Sequence, residues 1–258
     1  MQKLAIISSV QSGIFSGVVQ NGSSGFSEAE KTDALKDEKQ VFIDAIGIPD
    51  IEKKIQIDVI RAMDGIPKEY SADAYILGGS PSMVTERDQK EWIDRLIRFV
   101  HNEVNSGKPL FGICFGHQIL AAAFGGKIDV MKERKIGRGK TYIKSEGNIL
   151  FPKDVQVIDP MIESLWSHKQ SVTDSGETEV ISDSNSIIQA IKIDNAVGTQ
   201  FHPEFTPEFT SFLIKLMGQQ IEQEGLDKNA ILEQVNAMKQ GNPSNKLLNT
   251  FIQRYYNI

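Results

Sequence analysis

The chain has 258 residues, is 40% hydrophobic and 24% charged, and carries a formal net charge of −6. That length can bury a core as one domain, or one domain with an appendage, and the acidic balance argues against a general nucleic-acid surface. One cysteine excludes an internal disulfide framework and a multi-cysteine metal site, and no apolar stretch approaches the roughly 18 residues of a membrane span. The apolar run near the N-terminus stops too soon for the core of a signal peptide, so a cytoplasmic protein is expected.

In chain order, Leu4 to Ser8 reads as a buried strand and Ser12 to Gly25 as a Gly/Ser-rich loop. Ser27 with Glu30 three residues on forms a capping-box pattern, opening a helix that Gly47 ends. Lys54 to Arg61 alternates apolar and polar residues as a second strand. Ala74 to Leu77 is a third, closed by Gly78-Gly79-Ser80-Pro81. Gln89 to Asn105 keeps helical spacing at Trp92, Ile93, Leu96, Ile97, Val100 and Val104. An apolar run at Leu110, Phe111 and Ile113 reads as a strand, and Gln118 to Phe124 as a helix closed by Gly125 and Gly126. Strand–helix–strand alternation of this kind predicts a parallel sheet with helices on both faces.

After Gly126 the pattern turns antiparallel. Short strands are expected at Lys127–Met131, Thr141–Lys144, Val155–Ile158, Glu179–Ser182 and Ile187–Ile193, with another at Val197–Phe201. The charge run Lys132-Glu133-Arg134-Lys135 reads as a solvated loop. Phe209 to Gln223, Asp227 to Lys239 and Lys246 to Tyr256 read as helices. A joint at Glu224-Gly225 divides a domain at 1–225 from a helical C-terminal appendage at 226–258.

Cys114 sits on the corner between strand and helix, with Gly112 and Gly116 beside it. This is the spacing of a nucleophile elbow, where small residues make room for a strained turn. A thiol there lies near a helix N-terminus, which favours the thiolate; a lone cysteine can equally be a small buried hydrophobe. A cysteine nucleophile needs a base, and the base an orienter. His202 ends a strand with Glu204 two residues on, and in an extended segment those side chains share a face. The backbone N–H of Phe115, after the corner, and that of Gly79 are candidates for an oxyanion site. His101 reads as solvent-exposed, and His117 as structural.

Together, Gly78-Gly79-Ser80-Pro81, Gly112-Ile113-Cys114-Phe115-Gly116-His117-Gln118, Trp166-Ser167-His168 and Gln200-Phe201-His202-Pro203-Glu204 resemble the class I glutamine amidotransferase family over roughly residues 1–220. The resemblance is strongest to stand-alone proteins similar to the amidotransferase domain of GMP synthase, and to γ-glutamyl peptidases. It implies a flavodoxin-like α/β fold, a mostly parallel central sheet flanked by helices, with a smaller antiparallel sheet. It implies a triad of Cys114, His202 and Glu204, an oxyanion hole from Gly79 and Phe115, and substrate contacts from Gly78, Gln118, Ser167, His168 and Gln170. No metal and no cofactor is implied.

The implied substrate is glutamine or another γ-glutamyl compound. The implied partner is a separate synthase subunit that takes the ammonia, with neither nucleic acid nor membrane involved. Lys169 and Gln170 stand where many relatives of the GMP synthase type carry Gly-Asp, which leaves room for another γ-glutamyl substrate. The chain has no Ser-Gly-Gly-x-Asp-Ser motif and no P-loop. Three readings stay open: a glutamine amidotransferase, a hydrolase of γ-glutamyl peptides or amines, and a non-catalytic binding protein on the same fold.

Overall fold

Leu4, Ala5, Ile6 and Ile7 are fully buried and make up most of β1 (Lys3–Ser8), the strand on which the parallel half is built. A continuous apolar run suits a strand covered on both faces. The computed structural model describes residues 1–10, 25–144, 161–238, 241–256 and 258. Within them β1 pairs in parallel with β2 (Gln56–Arg61) and β3 (Ala74–Leu77). β4 (Leu110–Ile113) joins β3 to β9 (Ala196–Thr199), again in parallel.

From β9 the sheet continues antiparallel through β8 (Ile187–Ile193), β7 (Glu179–Ser184), β5 (Lys127–Ile143) and β6 (Met161–Asp174). The order across one nine-stranded sheet is β2-β1-β3-β4-β9-β8-β7-β5-β6. This is the expected α/β architecture. The antiparallel part is hydrogen-bonded onto the parallel part through β8 and β9.

Alternation along the strands sends successive side chains to opposite faces. Leu4, Ile6, Ile76, Phe111 and Ile113 pack with Phe42 and Ile46 of α2 (Glu38–Ile46) and with Leu248, Phe251 and Ile252 of the C-terminal helix (Lys246–Tyr255). Ala5, Ile7, Tyr75, Leu77 and Leu110 pack with Ile93, Leu96 and Val100 of a helix at Glu91–Asn105, and with Ile119 and Leu120 of a helix at Phe115–Ala123. The C-terminal helix is tied to the sheet: Phe251 meets Phe111 edge to face, and the Tyr256 hydroxyl donates to the Lys3 carbonyl at 3.0 Å.

Several boundaries differ from the sequence reading. The helix expected between Ser27 and Gly47 is two, α1 (Glu28–Leu35) and α2. Ser27 and Glu30 form the capping box of the first, Lys36 is extended, and Asp37 caps the second through the Gln40 N–H. Phe209–Gln223 breaks at Met217 into helices at Pro207–Leu216 and Gly218–Gln223. The next helix runs Lys228–Asn236.

The charge run Lys132–Lys135 is not a loop. It lies within the single long strand β5, across a register shift, because its charges find partners: Arg134 and Lys169 both reach the Glu224 carboxylate, at 3.4 and 3.3 Å. The strand expected at Val155–Ile158, most of the Ser12–Gly25 loop and Lys239 lie outside the described residues.

Candidate active site

The residues that carry chemistry gather where β1, β3, β4 and β9 end. This is the edge at which open α/β sheets bind ligands. At the end of β4 the chain turns into the helix Phe115–Ala123 through Cys114, held at φ 53° and ψ −97°. A non-glycine residue at positive φ is strained, and the surroundings hold it there. The Cys114 N–H donates to the Thr199 carbonyl at 2.7 Å, and its carbonyl accepts from the Gln118 N–H at 3.1 Å. Gly112 and Gly116 are required by space. A Cβ on Gly112 would lie 2.5 Å from the Gly116 carbonyl oxygen, and one on Gly116 would lie 2.4 Å from that of Leu77. The corner leaves the thiol beside a helix N-terminus, where unshared N–H groups and the helix dipole favour negative charge.

His202 follows β9, and a single antiparallel bridge, its N–H donating to the Leu165 carbonyl at 2.9 Å, fixes its backbone. Its Nδ1 donates to Glu204 Oε1 at 2.7 Å, and Phe205 stacks on the ring at 3.8 Å between centroids. Burial works against a charged imidazole, but the Glu204 carboxylate and then the Cys114 sulfur outweigh it and raise the pKa to about 10. The Glu204 carboxylate thus favours the protonated imidazole of His202. Its other ring nitrogen, Nε2, is buried with no conventional hydrogen-bond partner among the described residues. Gly79 lies against the same group: a Cβ there would sit 3.0 Å from His202 Cε1 and 3.9 Å from Cys114 Cβ.

Ser167, His168 and Gln170 belong to β6, a strand that polar composition hides from sequence reading. The Ser167 carbonyl lies 3.8 Å from the Cys114 sulfur. His168 faces inward, its Nδ1 bound to the Gln170 carbonyl at 2.9 Å, and burial pushes its pKa down to about 4. Gln170 directs its side chain to the Val84 N–H at 2.9 Å and Thr85 Oγ1 at 2.6 Å. Gln118 gives its Nε2 to the Gln170 carbonyl at 3.2 Å and to Gln200 Oε1 at 3.0 Å. Lys169 is drawn aside to Glu224 and the Lys132 carbonyl. His117 is fully buried against Gly198, and desolvation lowers its pKa to about 3; His101 is exposed.

Three further residues reach the site, none of them given a part by the sequence alone. Gln200 places its Nε2 3.6 Å from the Cys114 sulfur. Asn242 donates to the carbonyls of His202 and Phe205 at 2.8 and 3.0 Å, pinning the turn that carries His202. Glu38 lies behind Gly78, 2.9 Å from where a Cβ there would stand. Burial raises its pKa to about 7, the Glu204 charge adding to the shift while Ser8 and Arg61 oppose it. The one local signal is at Asn242: an Asn-Pro-Ser start of a short helix, with the Asn242 side chain accepting from Ser244. Among the described residues no group of three His, Cys, Asp or Glu side chains is arranged to hold a metal ion, and no helix is long and apolar enough to cross a membrane.

The family model for glutamine amidotransferase class-I matches residues 50–214, which takes in the corner, the Ser167–Gln170 strand and the His202–Glu204 turn. The chain is 31% identical over 143 residues to a glutamine-hydrolyzing GMP synthase subunit from Ignicoccus hospitalis, covering 54% of this chain and 70% of that one. It is 32% identical over 144 residues to the corresponding subunit from Sulfurisphaera tokodaii, with the same coverage. Against the glutamine-hydrolyzing GMP synthase of Aeromonas salmonicida it is 30% identical over 152 residues, 54% of this chain but only 27% of that longer protein. A glutamine amidotransferase from Thermotoga maritima shares the fold over 98% of this chain and 97% of its own, at a TM-score of 0.71 and 17% identity. The chain belongs to the class-I glutamine amidotransferase family.

Proposed function

We propose that the protein hydrolyses the γ-amide of glutamine through a thioester on Cys114. The observation that carries this reading is the placement of Cys114, at a strained helix N-cap position, beside the buried His202–Glu204 pair. In the proposed cycle the Cys114 thiolate attacks the amide carbon. The oxyanion that forms is met by the N–H groups of Phe115 and Gly79. Protonated His202 gives its proton to the leaving nitrogen, the carbon–nitrogen bond breaks, and ammonia leaves. Water then attacks the γ-glutamyl thioester, passing a proton to His202. Glutamate departs and the thiolate–imidazolium pair is restored. Glu204 holds the imidazole in orientation and stabilises its cation throughout.

Gly78 and the Ser167–His168 backbone would face the substrate, and ammonia would pass to a separate acceptor enzyme, since the family relatives include separate subunits of a synthase. The test is glutamate release from glutamine and from γ-glutamyl dipeptides, for wild type and Cys114→Ala. Turnover of glutamine that vanishes in the variant is the expected result. Equal release from both proteins sinks the mechanism. Turnover of dipeptides alone makes the protein a γ-glutamyl peptide hydrolase, a reading that the absence of a carboxylate at Lys169-Gln170 favours.

A further inference from the structure

We propose that Gln200 is a further catalytic residue, whose side-chain amide orients the Cys114 sulfur and favours its charged form, and that Gln118 fixes which way that amide faces. The inference rests on Cys114 being the nucleophile. Its geometry begins at a group that can only accept. The Gln170 backbone carbonyl takes a hydrogen bond from Gln118 at 3.2 Å, so the NH₂ end of Gln118 must face it. The same nitrogen lies 3.0 Å from the Gln200 side chain and has a second hydrogen to give, so the Gln200 end it meets is the oxygen. That leaves the NH₂ end of Gln200 pointing at the sulfur, 3.6 Å away. The polarity of the chain is thus set by a backbone carbonyl rather than by chance rotation of two amides.

The sulfur then sits between contacts that tell its two protonation states apart. The Ser167 carbonyl, 3.8 Å away, can accept from a thiol and gains nothing from a thiolate. The Gln200 amide donates, and donation to a charged acceptor is stronger than to a neutral one. Gln200 is fully buried and Gln118 is 3% exposed, so water does not replace either contact. The Gln200 backbone is held as well, its N–H donating to the Gln189 carbonyl at 2.8 Å.

Iodoacetamide alkylation tests this directly, because the chain has a single cysteine. In Gln200→Met, which keeps bulk and loses the donor, alkylation on the acid side of its pH profile should slow about tenfold, the loss expected for one hydrogen bond to a charged group. Gln200→Glu, which turns an acceptor toward the sulfur, should slow it further. Gln118→Met, which leaves Gln200 but frees it to rotate, should fall between wild type and Gln200→Met. A folded Gln200→Met with wild-type alkylation across pH overturns the proposal. If that variant does not fold, an unchanged profile in Gln118→Met overturns it. Slowed alkylation in these variants, alongside a wild type that turns over no glutamine, upholds the role of Gln200 and removes the proposed function instead.

Discussion

His202 Nδ1 and Glu204 Oε1 lie 2.7 Å apart, both side chains buried, on residues separated by a single proline. A carboxylate so placed does two things at once: it fixes the ring through Nδ1, and its charge favours the protonated imidazole. Glu204→Gln keeps the shape and removes the charge. We expect kcat with glutamine to fall by about 10²- to 10⁴-fold, as for other triads that lose their carboxylate. The pair also links stability to pH. A histidine whose folded pKa is raised to about 10 contributes stability that is fully present below its ordinary value of 6.5 and is lost as pH rises through 10. Urea unfolding of wild type and Glu204→Gln should therefore differ most at pH 6 and converge toward pH 10. A difference that grows with pH would contradict this.

Gly79 is a glycine for reasons of space. A methyl there would lie 3.0 Å from His202 Cε1, closer than ordinary side-chain contacts, on the turn that supplies one of the two proposed oxyanion donors. Gly79→Ala should leave the strands untouched but push the imidazole and the Gly79 N–H apart. Loss of one oxyanion donor costs about 10²- to 10³-fold in kcat, and a similar fall is expected here. Cooperative thermal unfolding with normal kcat in this variant would remove Gly79 from the site.

Legibility in the sequence tracks the distance along the chain over which each contact acts. The parallel strands are readable because burial on both faces leaves unbroken apolar runs such as Leu4–Ile7. The corner is readable because Gly112, Cys114 and Gly116 satisfy one local turn, and His202 with Glu204 because the contact spans two residues. The Gln200–Cys114 contact spans 86 residues, Gln118–Gln170 spans 52, and Asn242–His202 spans 40. No periodicity announces such pairings. Strand β6 escapes sequence reading for a related reason: Ser164, Ser167, His168, Gln170 and Ser171 are polar, and most are buried, with Ser164, His168 and Gln170 hydrogen-bonded within the strand or to Thr85.

Glu38 introduces a second carboxyl behind the first. Its pKa is raised to about 7, chiefly by burial and then by the Glu204 charge. Between its ordinary value of 4.5 and 7 the folded protein holds a proton that the unfolded chain releases, so stability falls as pH rises through that window. Glu38→Gln, which stays neutral, should be the more stable protein at pH 8. The difference should close as pH is lowered to about 4. The groups that face Glu38 are Ser8 on β1, Glu204, and Arg61 at the end of β2. A gap between the two proteins that is equal at pH 5 and pH 8 would show that Glu38 does not titrate in this range.

Asn242 connects the C-terminal segment to the His202 turn. Its two amide hydrogens go to the carbonyls of His202 and Phe205, and its oxygen accepts from Ser244 Oγ at 2.7 Å. Asn242 is 5% exposed, so removing the donors leaves the Phe205 carbonyl without that partner and the His202 carbonyl with only the Phe205 N–H, at 3.4 Å, both with little access to water. Asn242→Asp keeps size and the acceptor for Ser244 but loses both donors. With one buried carbonyl left unsatisfied, a loss of roughly 1–3 kcal/mol is expected. The same change frees the turn that holds His202 and Phe205 in their stack. The kinetic signature should be a fall in kcat of tenfold or more with KM for glutamine nearly constant, because in the proposed cycle the turn holds the base and not the substrate. Restoring the amide at this position should restore kcat and stability together. A variant that loses stability while keeping kcat would mean that the tail braces the fold without setting the base.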